Sequence, residues 1–410
     1  MTFRELQLQD ILDVQWGDTK TTKSSYVPTG YLAYSASGPD GFLDRFDYDR
    51  EGIVLSAIGA NCGTTFFATG KWSCIKNTIR IFPKSESIDL KYMYYITKSP
   101  DFWPIRGSAQ SFISQTDIRE LYVQLPELGV QRFIGNLLYE LEQKINVNKA
   151  VSSTLQEITQ ALFKSWFIDF DPVRAKMAGE KPLGMDNETA SLFPDSMDET
   201  ELGPIPTSWD VLPASELFEI GIGRTPPRKE PEWFSKDNIG VPWVSIRDMG
   251  TFGVFSQFTS ECLTEEAVSK FRVPIVPAHT VLMSFKLTVG KLCITDRPLV
   301  TNEAIAHFRV PTEGRLDSNY AYLWLSSYDM RTLDSTSSIG TATNSGVIRN
   351  IKFLVPSEGV LVKFQKTIEP IFKNLQLLQE QSATLAEIRD SLLPRLVSGE
   401  LQIPEEMLAS

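Results

Sequence analysis

The sequence is poor in the side chains that carry most chemistry. Among 410 residues there are two histidines and four cysteines. His279 and His307 stand far apart in the chain, and neither has a His or Cys partner at zinc-ligand spacing. No metal site is therefore expected, and a hydrogen-bonded structural role is expected for a buried histidine. Cys62, Cys74, Cys262 and Cys293 are widely separated and lack CxxC spacing. That pattern fits free thiols used as small apolar groups in a reducing cytoplasm. No run of 18 apolar residues and no basic-then-apolar leader is present, so neither membrane spanning nor secretion is expected. A GxxxxGK[ST] phosphate loop and a GxSxG elbow are both missing. Gly221-Ile222-Gly223 lacks a third glycine and runs into Arg224-Thr225-Pro226-Pro227, which cannot open a dinucleotide-binding helix. Acids are plentiful, but no spacing singles out a catalytic pair. The functional reading must come from how the chain is organised.

Hydrophobic residues make up 42% and charged residues 22%, as in ordinary globular chains, and the length suits two or three domains. The chain is written twice. In one register Ile118-Arg119 matches Ile348-Arg349, Pro126 matches Pro356, and Gly129-Val130 matches Gly359-Val360. In that same register Thr154-Leu155-Gln156-Glu157-Ile158 matches Thr384-Leu385-Ala386-Glu387-Ile388. Upstream the register drifts slightly, and Tyr92, Tyr94, Ser99 and Asp101 match Tyr320, Tyr322, Ser327 and Asp329. Further back Val54-Leu55 and Gly63 match Val281-Leu282 and Gly290, and Leu6, Gly17 and Thr19 match Leu212, Gly223 and Thr225. The drift implies one insertion in the second copy, between Thr225 and His279.

Each copy opens with short strand-like runs, such as Gly52–Ile58 and Thr280–Phe285, between Gly, Pro, Asn and Asp punctuation. Each closes on a helix pattern about 35 residues long, on the order of 50 Å. In the first copy Ile134, Leu137, Leu141, Val151, Leu155, Ile158 and Leu162 follow 3-4 spacing, with Lys144 and Asn148 in the gaps. In the second the equivalents are Phe364, Ile371, Leu378, Leu385, Ile388 and Leu392. Two such helices predict a coiled-coil pair. Lys144, Asn148 and Asn374 either set its register or face solvent. Between the copies, Glu180–Leu202 holds seven acids and one base with Pro182 and Pro194, an acidic connector expected to be exposed.

The net charge of −11 argues at first against a nucleic-acid partner. The connector accounts for −6 of it and the tail from Gly399 for −3, leaving the body near neutral. Two windows contain no acid: Gly52–Lys84, with Lys71, Lys76, Arg80 and Lys84, and Ala267–Thr295, with Lys270, Arg272, Lys286 and Lys291. Read as equivalent, and lying beside Phe66, Phe67, Trp72, Phe271 and Phe285, they suit phosphate contacts in a nucleic-acid groove. A solvated surface face is the alternative. Ser108–Phe112 and Gly340–Ser345 add amide and hydroxyl groups that could read base edges, or simply build turns. The candidate DNA-contacting set is Lys71, Trp72, Lys76, Asn77, Arg80, Arg106 and Gln110 in the first copy. In the second it is Arg224, Arg272, Lys286, Lys291, Thr341, Thr343 and Asn344.

This organisation resembles the specificity (S) subunit of type I restriction-modification systems over essentially the whole chain. Thr154–Val173, with its Leu162-Phe163-Lys164-Ser165-Trp166-Phe167-Ile168-Asp169-Phe170-Asp171-Pro172 core, is similar to that family's central conserved region. Ser391–Leu401 resembles its C-terminal one, and Gly203–Trp209 the opening of a second target-recognition domain. The start departs from the pattern: Phe3-Arg4-Glu5-Leu6 stands where Pro-x-x-Trp is usual. The resemblance implies an α+β fold. Two mixed α/β target-recognition domains would be joined by a pair of long antiparallel coiled-coil helices, a pseudo-twofold internal duplication. Expected boundaries are recognition domain one at 1–125, a central conserved helix at 126–179 and the acidic linker at 180–203. Recognition domain two follows at 204–355, and the C-terminal conserved helix and tail at 356–410. The resemblance further implies a cytoplasmic, non-catalytic protein that reads one half of a bipartite double-stranded DNA target with each domain. Its helices would act as a spacer ruler. Two methyltransferase (M) subunits and restriction-translocase (R) subunits would join it. Leu155, Ile158, Leu162, Trp166, Phe167, Leu385, Ile388 and Leu392 are the expected docking residues. S-adenosylmethionine, ATP and Mg belong to those partners, and no cofactor to this chain. A fused methyltransferase is disfavoured, because the Asn-Pro-Pro-[Tyr/Phe] motif is missing. The alternative is a duplicated coiled-coil scaffold that binds proteins instead of DNA.

Overall fold

The computed structural model describes residues 2–99, 101–200, 203–237, 239–286, 288–330 and 345–408. The chain divides into two compact units, Met1–Val147 with Ala383–Ser410, and Asn148–Ser382. Each long helix contributes residues to both units.

Both units follow one plan. In the first, an antiparallel sheet runs in the order Leu12–Trp16, Thr78–Pro83, Gly52–Ser56, Thr65–Ala68. In the second, the order is Glu219–Ile222, Ile305–Arg309, Val281–Ser284, Leu292–Ile294. Gly52–Ser56 and Val281–Ser284 are buried at every residue, which is why they read as continuous apolar runs. A parallel pair recurs as Tyr31–Ser35 with Lys71–Cys74 and as Val241–Val244 with Val300–Thr301. A two-stranded ribbon recurs as Arg4–Gln7 with Tyr122–Leu125 and as Asp210–Pro213 with Lys352–Val355.

The duplication extends to single hydrogen bonds. The Arg119 guanidinium donates to the Val14 carbonyl at 3.1 Å, and that of Arg349 to the Ile220 carbonyl at 3.1 Å. Asp89 caps the helix Leu90–Ile96 by accepting from the Tyr92 N–H, and Asp317 caps Ser318–Ser327 by accepting from Tyr320. Gly17 and Gly223 donate to the carbonyls of Thr78 and Ile305. A Cβ on Gly17 would stand 2.6 Å from Thr78 Oγ1, and one on Gly223 2.1 Å from Thr301 Oγ1, so both positions require glycine. One register differs from the sequence reading. Against equivalent neighbours Ile53 pairs with Ile81 and Val281 with Phe308, so Val281 corresponds to Ile53 rather than to Val54.

The insertion after Thr225 packs with the second copy's parallel pair around a separate small core of Trp233, Trp243, Leu263, Ala267, Val268, Val273 and Val300. Its helix Glu265–Lys270 is capped by Thr264. Gln379, on the second long helix, ties down the segment that follows. Its amide donates to the Phe255 carbonyl at 2.6 Å and accepts from the Phe255 N–H at 3.3 Å. A Cβ on Gly253 would lie 2.5 Å from the Gln379 oxygen.

The long helices are Leu128–Phe167 and Glu358–Val397, 40 residues each and therefore about 60 Å long. They pair antiparallel. In the second unit Phe163 meets Phe364 at 5.9 Å between ring centroids, and Asn148 Nδ2 donates to Gln381 Oε1 at 2.8 Å. In the first unit, Leu138 near the start of one helix shares a core with Leu392, Leu393 and Leu396 near the end of the other.

The packed seam is displaced from the expected one. Ile134, Leu138, Ile145, Asn148, Thr159, Phe163 and Trp166 are buried. Lys144 and Asn374 are exposed, and Val151 and Ile158 are 39% and 49% exposed. The seam's middle is made of polar and small residues (Asn148, Thr159, Ser382, Ala386), so apolar spacing alone selected the neighbouring stripe. Of the three polar candidates only Asn148 sits inside, 1% exposed.

The acidic segment is less open than its composition suggests. Asp186 caps a short helix, Asn187–Ser191, and Met197–Thr200 pairs with Gly203–Pro206. Phe193 is 1% exposed, edge-on to Trp166 at 5.0 Å. This anchor ties the connector into an aromatic core of Phe163, Trp166, Phe167, Trp209, Tyr320 and Phe364.

Candidate nucleic-acid interface

In each copy, the loop that follows the second strand turns at Gly17 or Gly223 and leads to cations and aromatic rings. In the first unit Asp18 accepts from Arg45 at 2.8 Å and from the Thr21 hydroxyl at 2.6 Å. The Lys76 N–H donates to the Thr21 carbonyl, which places this loop beside the turn at Lys76-Asn77. Lys71 lies 4.7 Å from the Phe46 ring centroid and 5.9 Å from that of Tyr31. Tyr31, Phe42 and Phe46 are 36–40% exposed. Lys20, Lys71 and Lys76 are exposed and make no ion pair among the described residues.

The second unit builds its counterpart largely from the insertion. Arg224 donates to the Phe271 carbonyl at 2.8 Å. Lys270 stands 4.2 Å above Trp233. Arg228 lies 4.0 Å from the Phe234 centroid and pairs with Glu261 at 2.8 Å. Arg272 is exposed, with a left-handed backbone at φ 51.

Several sequence-predicted residues fall elsewhere. Trp72 is fully buried among Tyr34, Tyr48 and Phe82, and its indole N–H donates to the Arg50 carbonyl, so it is core and presents no edge to a ligand. Arg80 is 7% exposed, pairs with Asp13 at 2.7 Å and packs on Tyr48 and Phe82. It too is withdrawn from the interface. Asn77 occupies a left-handed turn position at φ 71, the ordinary use of asparagine there. Arg106 is exposed but pairs with the buried carboxylate of Asp117 at 2.7 Å, and Gln110 is exposed nearby. Lys286 and Lys291 are half-buried. Thr341, Thr343 and Asn344 lie outside the described residues.

The two basic windows are not equivalent in space. Arg80 pairs with Gln15 and His307 with Gly221, equivalent positions of the two sheets, so Gly52–Lys84 corresponds to the stretch around 279–311, and Lys270 and Arg272 belong to the insertion. Nor does the first window stand alone. Asp49 pairs directly opposite Lys71, and Asp44, Asp47 and Glu51 flank Asp49 in the chain. Window arithmetic misses acids that only strand pairing brings close. It also misses Tyr31, Phe42, Phe46, Lys20 and Trp233, whose one sequence signal is aromatics alternating with cations.

His307 fills the place of Arg80 without charge. It is 4% exposed, its Nε2 is 2.7 Å from Thr301 Oγ1, and burial pushes the imidazole down to about 4. His279 is exposed in a left-handed turn at φ 60. Among the described residues, no group of three His, Cys, Asp or Glu side chains could hold a metal ion. Among them, too, no helix is long and apolar enough to cross a membrane.

The expected docking residues divide in the same way. Trp166 and Phe167 are 5% and 1% exposed and belong to the aromatic core, so they are corrected from surface to core. Leu155, Leu162, Leu385 and Leu392 are half-buried, whereas Ile158 and Ile388 are 49% and 41% exposed.

A sequence profile described as "Type I restriction modification DNA specificity domain" matches residues 2–157 and again 206–388. The HindI specificity subunit of Haemophilus influenzae, a type I restriction enzyme subunit, is 30% identical over 331 residues, 70% of this chain and 71% of that one. The MjaIX specificity subunit of Methanocaldococcus jannaschii is 23% identical, across 87% of this chain and 79% of that one. Among solved structures, a type I restriction-modification S subunit from M. genitalium superposes with a TM-score of 0.67. It shares 16% identity, over 97% of this chain and 96% of that one, and so carries the likeness of fold.

Proposed function

Because the chain belongs to the type I restriction-modification DNA specificity family, we propose that it is the DNA-reading subunit of such a complex. Each recognition unit would contact one half of a bipartite double-stranded target. The observation that carries this is the doubling itself: one fold plan and one profile, each occurring twice. A protein with two equivalent reading units suits a target with two half-sites, as paired reading heads do elsewhere. The paired helices would fix the unread spacer between the halves. They would also present Ile158 and Ile388, with Leu155, Leu162, Leu385 and Leu392 beside them, to methyltransferase subunits. Restriction subunits would join the assembled complex in the cytoplasm. The chain itself would be non-catalytic, with the methyl donor and nucleotide bound by those partners. Lys71 and Lys76 in the first unit, and Arg224, Lys270 and Arg272 in the second, are the exposed cations best placed for phosphate contact.

The test is to co-express the chain with its methyltransferase and map N6-methyladenine genome-wide. A bipartite motif with a fixed gap is expected; a complex that forms but leaves no adenine methylated overturns the reading. The scaffold alternative predicts that second result, together with partner binding that ignores salt. Within the DNA reading, replacing Lys71 and Lys76 with alanine should weaken DNA binding roughly tenfold at moderate salt. It should also lower the slope of log affinity against log salt by about 1.8. Titrations at three salt concentrations read both numbers, and an unchanged slope removes these lysines from the interface.

A further inference from the structure

The two copies are fastened to the long helices by different chemistry at one equivalent position. In the first unit the helix Leu90–Ile96 lies against Glu142 of the first long helix. The Tyr95 hydroxyl donates to Glu142 Oε2 at 2.7 Å, and Lys98 Nζ donates to both carboxylate oxygens, at 3.1 and 3.3 Å. The Lys98 ammonium also sits over Tyr94 at 4.2 Å and Tyr95 at 5.4 Å. Lys98 and Glu142 side chains are only 29% and 21% exposed, so the pair is partly shielded from water. Burial works against the Glu142 charge, but Lys98, the Tyr95 hydroxyl and Arg389 of the second long helix outweigh it and hold the carboxyl below its usual range. Burial holds Lys98 below the ordinary lysine value. Tyr95 is pushed up, first by burial and then by the carboxylate, so its hydroxyl stays a donor.

The register that matches Gly129-Val130 to Gly359-Val360 also matches Glu142 to Phe372. The register that matches Tyr92 to Tyr320 also matches Tyr94, Tyr95 and Lys98 to Tyr322, Leu323 and Ser326. In the second unit Phe372 is 3% exposed and meets Tyr322 and Phe255 edge-on, at 6.1 and 6.4 Å. The Ser326 hydroxyl turns back to the Tyr322 carbonyl. One latch is ionic and directional; its twin is an apolar contact.

We infer that Glu142 is a positioning residue: its carboxylate, gripped by Lys98 and Tyr95, sets how the first recognition unit is held on the helices and thereby where the first half-site must lie. This rests on the DNA-reading function proposed above. An ion pair reinforced by hydrogen bonds from the Tyr94 and Tyr95 hydroxyls fixes an orientation, whereas apolar rings slide at little cost. Losing the charge should therefore loosen placement without altering which bases are read.

The experiment uses the full chain in complex with its methyltransferase subunits, with methylated adenines mapped genome-wide. Glu142→Gln keeps the side-chain shape and an acceptor for Tyr95 but loses the pair with Lys98. It should raise methylation at sites whose gap is one base pair too long or too short by at least tenfold, with both half-site sequences unchanged. Lys98→Met should do the same and guards against a fold defect peculiar to the glutamine variant. Installing the second copy's residues together, as Tyr95→Leu, Lys98→Ser and Glu142→Phe, keeps a packed contact without the ion pair and should relax gap discrimination to the same extent. Unchanged discrimination in both Glu142→Gln and Lys98→Met overturns the inference, as does a triple variant that discriminates gaps as the wild type does. A wild-type complex that methylates nothing overturns the DNA-reading function instead.

Discussion

Replacing Phe167 with alanine should lower the stability of the Asn148–Ser382 unit by about 3–5 kcal/mol, among the largest losses available to a single substitution in this chain. Phe167 is 1% exposed. Its ring lies 4.7 Å from Phe364, 5.1 Å from Phe163, 5.2 Å from Tyr320 and 5.8 Å from Trp209, centroid to centroid. These neighbours come from both long helices, the helix Ser318–Ser327 and the strand ribbon's approach at Trp209. Truncation would thus open a cavity where several elements meet, and none can close it alone. Urea unfolding of the intact chain, followed by tryptophan fluorescence, reads the loss directly because Trp166 and Trp209 lie in the same cluster. Ile158→Ser, on the exposed side of the same helix, should change stability by no more than about 0.5 kcal/mol. A loss below about 1 kcal/mol for Phe167→Ala would remove this residue from the centre of the core.

His307 makes the same unit sensitive to acid. Its folded-state value of about 4 lies below the 6.5 of a free imidazole. The unfolded chain takes up a proton as pH falls through 6.5, while the folded chain resists until about 4. The stability contributed is therefore complete above pH 6.5 and is lost as pH falls toward 4, reaching about 3 kcal/mol at the end of that window. His307→Gln removes the titration while keeping a polar group for Thr301. Unfolding free energies measured from pH 7 to pH 4 should fall less steeply for this variant by that amount. Parallel curves would show that His307 is not the acid-sensitive group.

Much of the fold was legible because duplication is a pattern of identities, and identities survive whatever the elements do in space. Ile118-Arg119 and Ile348-Arg349 matched as letters, and the structure gives the arginines one hydrogen bond, made twice. The long helices were legible from length and spacing, but their seam was not. Asn148, Thr159 and Ser382 line it where apolar residues were sought, while Ile158 points outward. The candidate site was read least well, for a definite reason. A sequence window counts charges along the chain, whereas strand pairing brings Asp49 opposite Lys71 across two intervening strands of the chain. Burial is equally invisible to such a count: Trp72 and Arg80 stand in the window but face the core. Trp166 and Phe167, where docking was expected, are buried in the aromatic core, because spacing along a helix does not tell which of its faces is covered.

Because the fold plan occurs twice in one polypeptide, each half is a natural control for the other. Positions that agree in both halves, such as Gly17 with Gly223, Asp89 with Asp317 and Arg119 with Arg349, are held by geometry that any occupant of the plan must satisfy. Positions where the halves part company, such as Arg80 with His307 or Glu142 with Phe372, have been free to answer different demands. Engineering can use this directly. Changes confined to the second class should retune one half and spare its twin, and changes in the first class should cripple whichever half receives them.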